Sequence, residues 1–152
     1  MRRKEKAIHN LAGIEAIIGK SLVCRLALSA DDCPYVVPLC FAYQNNTLYF
    51  HSSPEGTKLE ILKKNSKVCF EFDIDHEVVP DEKACNWSMR YRSVIGFGKA
   101  SFVNSREEKR RGLDLIMAHY GGRSSDYPDS AIDNTVVIKV EIERLTGKES
   151  GY

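Results

Sequence analysis

The segment Tyr49-Phe50-His51-Ser52-Ser53-Pro54-Glu55-Gly56-Thr57-Lys58 holds the residues best suited to chemistry. An alternating apolar run through Leu48 and Phe50 stops at His51. Two serines, a proline and a glycine follow, and Lys58 then falls in the first turn of an expected helix. A helix N-terminus carries partial positive charge and prefers anions, so a lysine is badly placed there. The placement makes sense if the ammonium and the free backbone N–H groups face one shared anion. Strand, small-residue turn, helix start and basic residue together describe a candidate phosphate site built from Ser52, Thr57 and Lys58. The alternative is a surface lysine that snorkels after a loop. His51, beside the turn, is placed to line the same pocket, although a lone histidine is more often structural.

Other residues carry weaker chemical signals. Pro38 interrupts an apolar strand and has no N–H, which leaves the backbone groups of Val37 and Leu39 open to a flat heteroaromatic ring. A plain edge strand is the competing reading. Arg92 could grip a phosphate with two hydrogen bonds or form a surface ion pair. Trp87 is a pocket anchor or a packing residue. The five cysteines, Cys24, Cys33, Cys40, Cys69 and Cys85, are odd in number and show no C-x-x-C spacing. Neither a disulfide framework nor a zinc site is expected. Cys24, Cys40 and Cys69 read as small core residues in a reducing compartment. His9, His76 and His119 lack metal-like spacing and are expected at the surface. Gly96-x-Gly98 lies inside a strand and is not a dinucleotide fingerprint.

The elements that must position these residues follow from periodicity. Leu11, Ile14, Ile17 and Ile18 fall on one helical face over residues 8–20, with Asn10 as a cap. Strands are expected over 21–29, 35–43, 47–52, 67–72, 92–102 and 136–143. Asp31-Asp32-Cys33-Pro34 and Gln44-Asn45-Asn46 are turn chemistry. A second helix covers roughly 57–65, started either by a Thr57-x-x-Glu60 capping box or by Ser53-Pro54. Residues 73–89 read as a long loop with a short helical piece. Ser105-Arg106-Glu107-Glu108 is another capping box and opens a helix that ends at Gly121-Gly122. Short consecutive strands with tight turns argue for an antiparallel sheet curled into a small barrel, in one domain spanning 1–152.

Bulk properties exclude several classes. The chain has 152 residues, 43% hydrophobic and 28% charged, with a formal net charge of +1. No bulk field favours nucleic acid or an acidic membrane. Basic residues cluster at 1–6 and at Lys109-Arg110-Arg111, where solvated surface is the simpler reading. No apolar run approaches the ~20 residues that span a bilayer, and no apolar stretch follows the basic N-terminus as in a signal peptide. A cytoplasmic location is expected.

Three stretches together resemble a known family. They are Pro34-Tyr35-x-Val37-Pro38-Leu39, then Leu48-Tyr49-Phe50-His51-Ser52-x-x-x-Gly56-x-Lys58, then Tyr91-Arg92-Ser93-Val94-x-x-x-Gly98-Lys99-Ala100. The pattern, from about Leu11 to the last strand, resembles the flavin-binding split-barrel superfamily of pyridoxamine 5′-phosphate oxidase, nearest its nitroimidazole-resistance (Nim) branch. The resemblance implies a mainly β fold, a six-stranded antiparallel split barrel with flanking helices. It implies a homodimer with flavin at the subunit interface. Ser52, Thr57 and Lys58 would then hold the FMN phosphate and ribityl tail, and Val37, Pro38, Leu39 and Cys40 would lie along the isoalloxazine ring. Arg92 and Ser93 would approach from near the dimer seam, and His51 would stand in the active site, close to flavin and substrate. FAD is possible, since its adenosine half could lie on the surface. No metal is implied. The C-terminal Trp- and Arg-bearing extension of true pyridoxamine phosphate oxidases is missing, so oxidation of vitamin B6 is not expected. The activity implied is a flavin-dependent reduction of a small molecule such as a nitroaromatic. The alternative is a non-catalytic flavin or haem binder for storage or sensing.

Overall fold

The computed structural model describes residues 4–123 and 126–152, so Met1-Arg2-Arg3 of the basic N-terminal cluster lie outside the described residues. A 3-10 turn (Lys4–Lys6) and the two-residue strand β1 (Ala7–Ile8) lead into helix α1 (Leu11–Lys20). The Asn10 side chain caps α1 by accepting from the Gly13 N–H at 2.6 Å. Ile14, Ile17 and Ile18 form its buried face.

Strands β2 (Cys24–Ala30), β3 (Cys33–Leu39), β4 (Phe41–Gln44) and β5 (Thr47–Ser52) follow. Two tight hairpins join them in pairs. Asp31 and Asp32 have φ of 53° and 58°, and Asn45 and Asn46 have φ of 50° and 60°. Left-handed residues at both central positions make turns whose twist matches paired strands. Helix α2 (Thr57–Lys64) precedes the long strands β6 (Lys67–Val79) and β7 (Ser88–Val103). After β7 come α3 (Arg106–His119), the short α4 (Asp129–Asp133) and β8 (Val136–Ser150).

The sheet runs in the order β3-β2-β6-β7-β8-β5-β4, with β1 added beside β8. Hydrogen bonds do not close it. The chain closes it instead: β3 lies at one edge, β4 at the other, and only Cys40 stands between them. The single strand expected over 35–43 is therefore two half-strands that serve opposite edges, and β3 and β4 counted as one restore a six-stranded split barrel. Pro38 does not make the break. It sits within β3 opposite Arg25, which an edge strand tolerates because a missing N–H there costs no ladder bond.

Inward positions alternate along the strands. Leu26, Leu28, Phe41, Leu48, Phe50, Phe70, Phe72, Val94, Ile138 and Val140 form one core, closed by the isoleucines of α1 and by Leu59 and Leu62 of α2. The close backbone approach expected at Gly96 and Gly98 is present. A β-carbon at Gly98 would stand 2.3 Å from the Glu141 carbonyl oxygen. This is where β7 and β8 change register, as Phe97 pairs with Arg144 and Gly98 with Ile142. Helix α3 packs on the outer face of β4 and β5, where Gly112 lets the helix close on Tyr49 and Val137. The Ser105 hydroxyl caps α3 by accepting from the Glu108 N–H.

Three sequence expectations need correction. Residues 73–79 are strand rather than loop, and β6 and β7 continue past the barrel as a paired arm (Glu77 with Arg90, Val78 with Met89) beyond a bulge at Asp75, whose φ is 57°. Only residues 84–86 are the short helical piece. The last strand runs to Ser150, because its second half pairs with β7 from Tyr91 to Phe97. Among the cysteines, Cys24 alone is buried, while Cys40 is exposed and Cys69 half-buried. No described helix is long and apolar enough to cross a membrane.

Candidate functional site

Helix α2 begins without a side-chain cap. Its N-cap is Gly56, with φ of 135°, a conformation that favours glycine. Thr57 is thus the first helical residue rather than the cap, and neither expected start is used. The Leu59 and Glu60 N–H groups both turn back to the Gly56 carbonyl. The N–H groups of Thr57 and Lys58, the Thr57 hydroxyl and the Lys58 ammonium make no hydrogen bond or ion pair among the described residues. An uncapped helix start with two open donors, a hydroxyl and an uncommitted cation is suited to an anion. Thr57 also borders a cleft of about 220 Å³ with Ala30, Asp31, Cys33 and Lys64. There, Asp31 holds Lys64 at 2.5 Å, so Lys64 is already neutralised and Lys58 is not.

Ser52 is buried, and its hydroxyl donates to the Ser53 carbonyl at 2.9 Å, which shapes the turn into α2. His51 is exposed at the end of β5, opposite Val137 of β8. Its ring has no partner among the described residues. Phe41 pairs with Phe50 as the last step of the β4–β5 ladder. Cys40 and His51 therefore flank the point where the two strands part. The exposed Cys40 and Pro38 and the half-buried Val37 and Leu39 lead away from this split along β3. The structure thus places Leu39, Cys40 and His51 at the split, with Val37 and Pro38 leading away along β3 and Ser52 following His51, whereas Thr57 at the start of α2 borders the β2–β3 hairpin at the other end of β3.

Arg92 and Ser93 are not part of that assembly within one chain. Arg92 lies at the far end of β7, fully engaged. Its guanidinium meets Asp75 at 2.7 Å and Glu149 at 3.4 Å, and lies 3.9 Å over the Tyr152 ring. Ser93 faces outward in a cleft of about 320 Å³ with Ile95, Phe97, Arg144, Thr146 and Lys148. Strands β6 and β2 separate it from β3, roughly 14 Å at the usual strand spacing. Arg25 fills the intervening face with ion pairs to Glu71 at 3.0 Å and to Asp73, while His76 meets Asp73 at 2.7 Å. Burial, reinforced by the neighbouring Asp73 charge, pushes the Glu71 carboxyl up from its ordinary range despite Arg25. The Trp87 indole N–H donates to the Asp81 carbonyl at 2.7 Å and anchors the tip of the arm while its ring stays exposed.

The sequence leaves Tyr120 unassigned and puts His119 at the surface, but the structure brings both to the split. The Tyr120 hydroxyl accepts from the Phe41 N–H at 3.1 Å, and His119 Nε2 lies 2.8 Å from the Ser21 carbonyl. The His119 ring is half-buried, 4.5 Å from that of Phe41. They sit at the C-terminal end of α3, 79 residues from Phe41 and 98 from Ser21 and Leu22, where periodicity says nothing. Among the described residues no group of His, Cys, Asp and Glu is arranged to hold a metal ion.

Comparison with known proteins fits this geometry. Residues 11–149 match the family model described as pyridoxamine 5′-phosphate oxidase. A solved structure of a candidate 5-nitroimidazole antibiotic resistance protein from Bacteroides thetaiotaomicron is 41% identical, covers 94% of this chain and 86% of its own, and superposes with a TM-score of 0.85. An FAD- and haem-binding protein from Mycobacterium smegmatis shares the fold at 20% identity, 97% and 74% coverage, and a TM-score of 0.85. A curated relative, an uncharacterised protein of Rhizobium meliloti, is 35% identical over 57 residues, a match spanning 38% of this chain and 37% of that protein. The chain therefore belongs to the pyridoxamine 5′-phosphate oxidase split-barrel family, beside its nitroimidazole-resistance proteins.

Proposed function

We propose that this protein is an FMN-dependent oxidoreductase that passes electrons to a small acceptor such as a nitroimidazole. The observation that carries the reading is the uncapped start of α2, where Thr57 and Lys58 offer two N–H groups, a hydroxyl and an ammonium that have no partner among the described residues. That donor set fits a phosphomonoester dianion. Val37, Pro38, Leu39 and Cys40 would present the edge of β3 to the ring. The flavin, when bound, supplies the redox chemistry. The chain's own part is to hold the phosphate, align the ring against β3 and hold a proton at the His51 imidazole for the substrate.

A homodimer completes the site in this reading. The outer face of β3-β2-β6-β7 exposes Val36, Ile95 and Phe97, at 61%, 43% and 38%. Paired positions make this a continuous surface: Val36 faces Ala27, Ala27 faces Cys69, and Cys69 faces Phe97. A second copy seated there would bring its own Ser93 and Arg92 end toward the ring that β3 carries, which one chain cannot do.

Absorbance and mass spectrometry of the chromophore released from purified protein test the reading. FMN released in stoichiometric amount is the expected result, and protein with no bound flavin and no FMN affinity would overturn it. A second reading rests on His51, whose ring has no partner among the described residues and would be open to hold a haem iron: a non-catalytic flavin or haem binder. Reduction by NAD(P)H followed by faster reoxidation with a nitroimidazole supports the enzyme. A Soret band on adding haem, without such turnover, supports the binder.

A further inference from the structure

The chain changes sheet edge within one residue, Cys40, and α3 holds the place where it does so. The Tyr120 hydroxyl accepts the Phe41 N–H at 3.1 Å and donates to the Leu22 carbonyl at 2.8 Å. One hydroxyl thus ties the first residue of β4 to the segment that enters β2. The neighbouring His119 adds a second tie, since the Ser21 carbonyl can only accept and Nε2 must be the donor at 2.8 Å. The Phe41 ring is held from both sides, with His119 at 4.5 Å and Phe72 at 4.8 Å between centroids. Burial, with a contribution from the adjacent Cys40 thiol, raises the Tyr120 pKa and keeps its proton available for Leu22, against an opposing pull from the Phe41 N–H.

These ties act where rigidity is otherwise least. Cys40 belongs to neither strand, and an edge N–H without a strand partner goes to water unless a side chain takes it. Leu22 and Val23 are 68% and 40% exposed, so packing does little to fix them. Without the hydroxyl, Phe41 keeps its inward ring, but the backbone from Leu39 to Phe41 can shift along the split. That backbone is the wall proposed above for the flavin ring.

We propose that Tyr120 is a positioning residue for the flavin ring: by fixing Phe41 and Leu22 it sets where Leu39 and Cys40 stand against the ring. This rests on the flavin reading of the split. The test is Tyr120→Phe, which keeps the ring and loses the hydroxyl, with His119→Ala as a second variant. In flavin-free protein, hydrogen exchange at the Phe41 amide and alkylation of Cys40 should both accelerate about fivefold or more, with Cys85 alkylation unchanged. Affinity for riboflavin and for FMN should fall by the same factor, about fivefold, and the visible band of the bound flavin should lose its fine structure. Lys58→Ala, by contrast, should weaken FMN alone. A wild-type protein that binds neither flavin overturns the reading of the site. A wild type that binds, with Tyr120→Phe matching it in Phe41 exchange or in flavin affinity and spectrum, overturns only the positioning role.

Discussion

The Phe70 ring occupies the space that a side chain at Gly96 would need: a β-carbon there would stand 2.1 Å from Phe70 Cζ. The two residues are direct partners across β6 and β7, and both face the core. Gly96→Ala forces the ring out of place in a well-packed interior, at a cost of about 1–3 kcal/mol. Thermal unfolding should show a drop of roughly 3–10 °C, and Phe70→Leu in the same chain should recover part of it by vacating the space. An unchanged melting temperature for Gly96→Ala would mean that the ring is not held there.

Lys58 should matter for phosphate and for nothing else. A charge-assisted hydrogen bond contributes about 1.5–3 kcal/mol, so Lys58→Ala should weaken FMN binding about 10- to 100-fold and leave riboflavin affinity unchanged. Lys83, exposed on the arm beyond the barrel, is the control. Titration of each variant with both flavins makes the comparison, and equal losses for Lys58→Ala and Lys83→Ala would remove Lys58 from the phosphate site.

Cysteine labelling should map the ring. Burial pushes the Cys24 thiol far above its ordinary pKa and closes it to reagents, so Cys24 should react only on unfolding. Cys40 and Cys85 are both exposed, but only Cys40 lies at the split. FMN at saturation should slow alkylation of Cys40 at least several-fold and leave Cys85 unaffected, as read by mass spectrometry of the labelled peptides. Equal rates at Cys40 with and without FMN would place the ring elsewhere.

Much of this was legible in the residues, for reasons that differ by element. Leu48, Phe50, Val140 and Ile142 alternate, so strand period alone marks their strands. Asn10 and Ser105 cap because their side chains accept from the first turn, a local event. The strand at 73–79 was missed because its apolar period ends at Ile74 and acidic residues follow; pairing with β7 makes it a strand, not its own side chains. The break at Cys40 was invisible because Pro38 carried the local signal, whereas the break is a choice between two sheet edges. His119 and Tyr120 were placed on the surface or overlooked, since their partners are remote in sequence. At the site, the turn chemistry of Gly56 and Lys58 was local and readable. For Arg92 the sequence leaves a phosphate grip and an ion pair open, because Asp75, Glu149 and Tyr152 reach it only through tertiary pairing.

Glu71 gives a pH dependence of definite sign. Its folded-state pKa lies above the ordinary carboxylate value, chiefly through burial. The folded chain therefore binds this proton more readily than the unfolded chain. The stability it contributes is fully present below the unfolded-state pKa and is lost as pH rises through the folded-state value. Glu71→Gln removes the ionisation and should raise stability at neutral pH, with the gap from wild type closing as pH falls below the ordinary carboxylate range. Urea unfolding across that range measures it. A variant less stable than wild type at neutral pH would mean that the Arg25 pair outweighs burial.

The outer sheet face decides whether one chain makes the site alone. Phe97 projects from β7 with Arg144 stacked over it at 4.4 Å, and Ile95 stands two residues further along the same face. If a second copy covers this face, Phe97→Asp places an unpaired charge in the contact and should yield a monomer by light scattering, with little change in the barrel because Phe97 is not in the core. Flavin affinity should fall with dimerisation, since Ser93 would reach the ring only from the partner. Complementation separates this from a general weakening. Lys58→Ala and a bulky Ser93→Trp each damage a different wall, so in a mixed dimer one site collects both lesions and the other neither. Co-expressed and mixed, the two variants should recover up to half of the flavin sites, whereas sites built within single chains recover none. A Phe97→Asp variant that remains dimeric would move the contact off this face, and one that is monomeric with full flavin affinity would show that the ring is held without the partner.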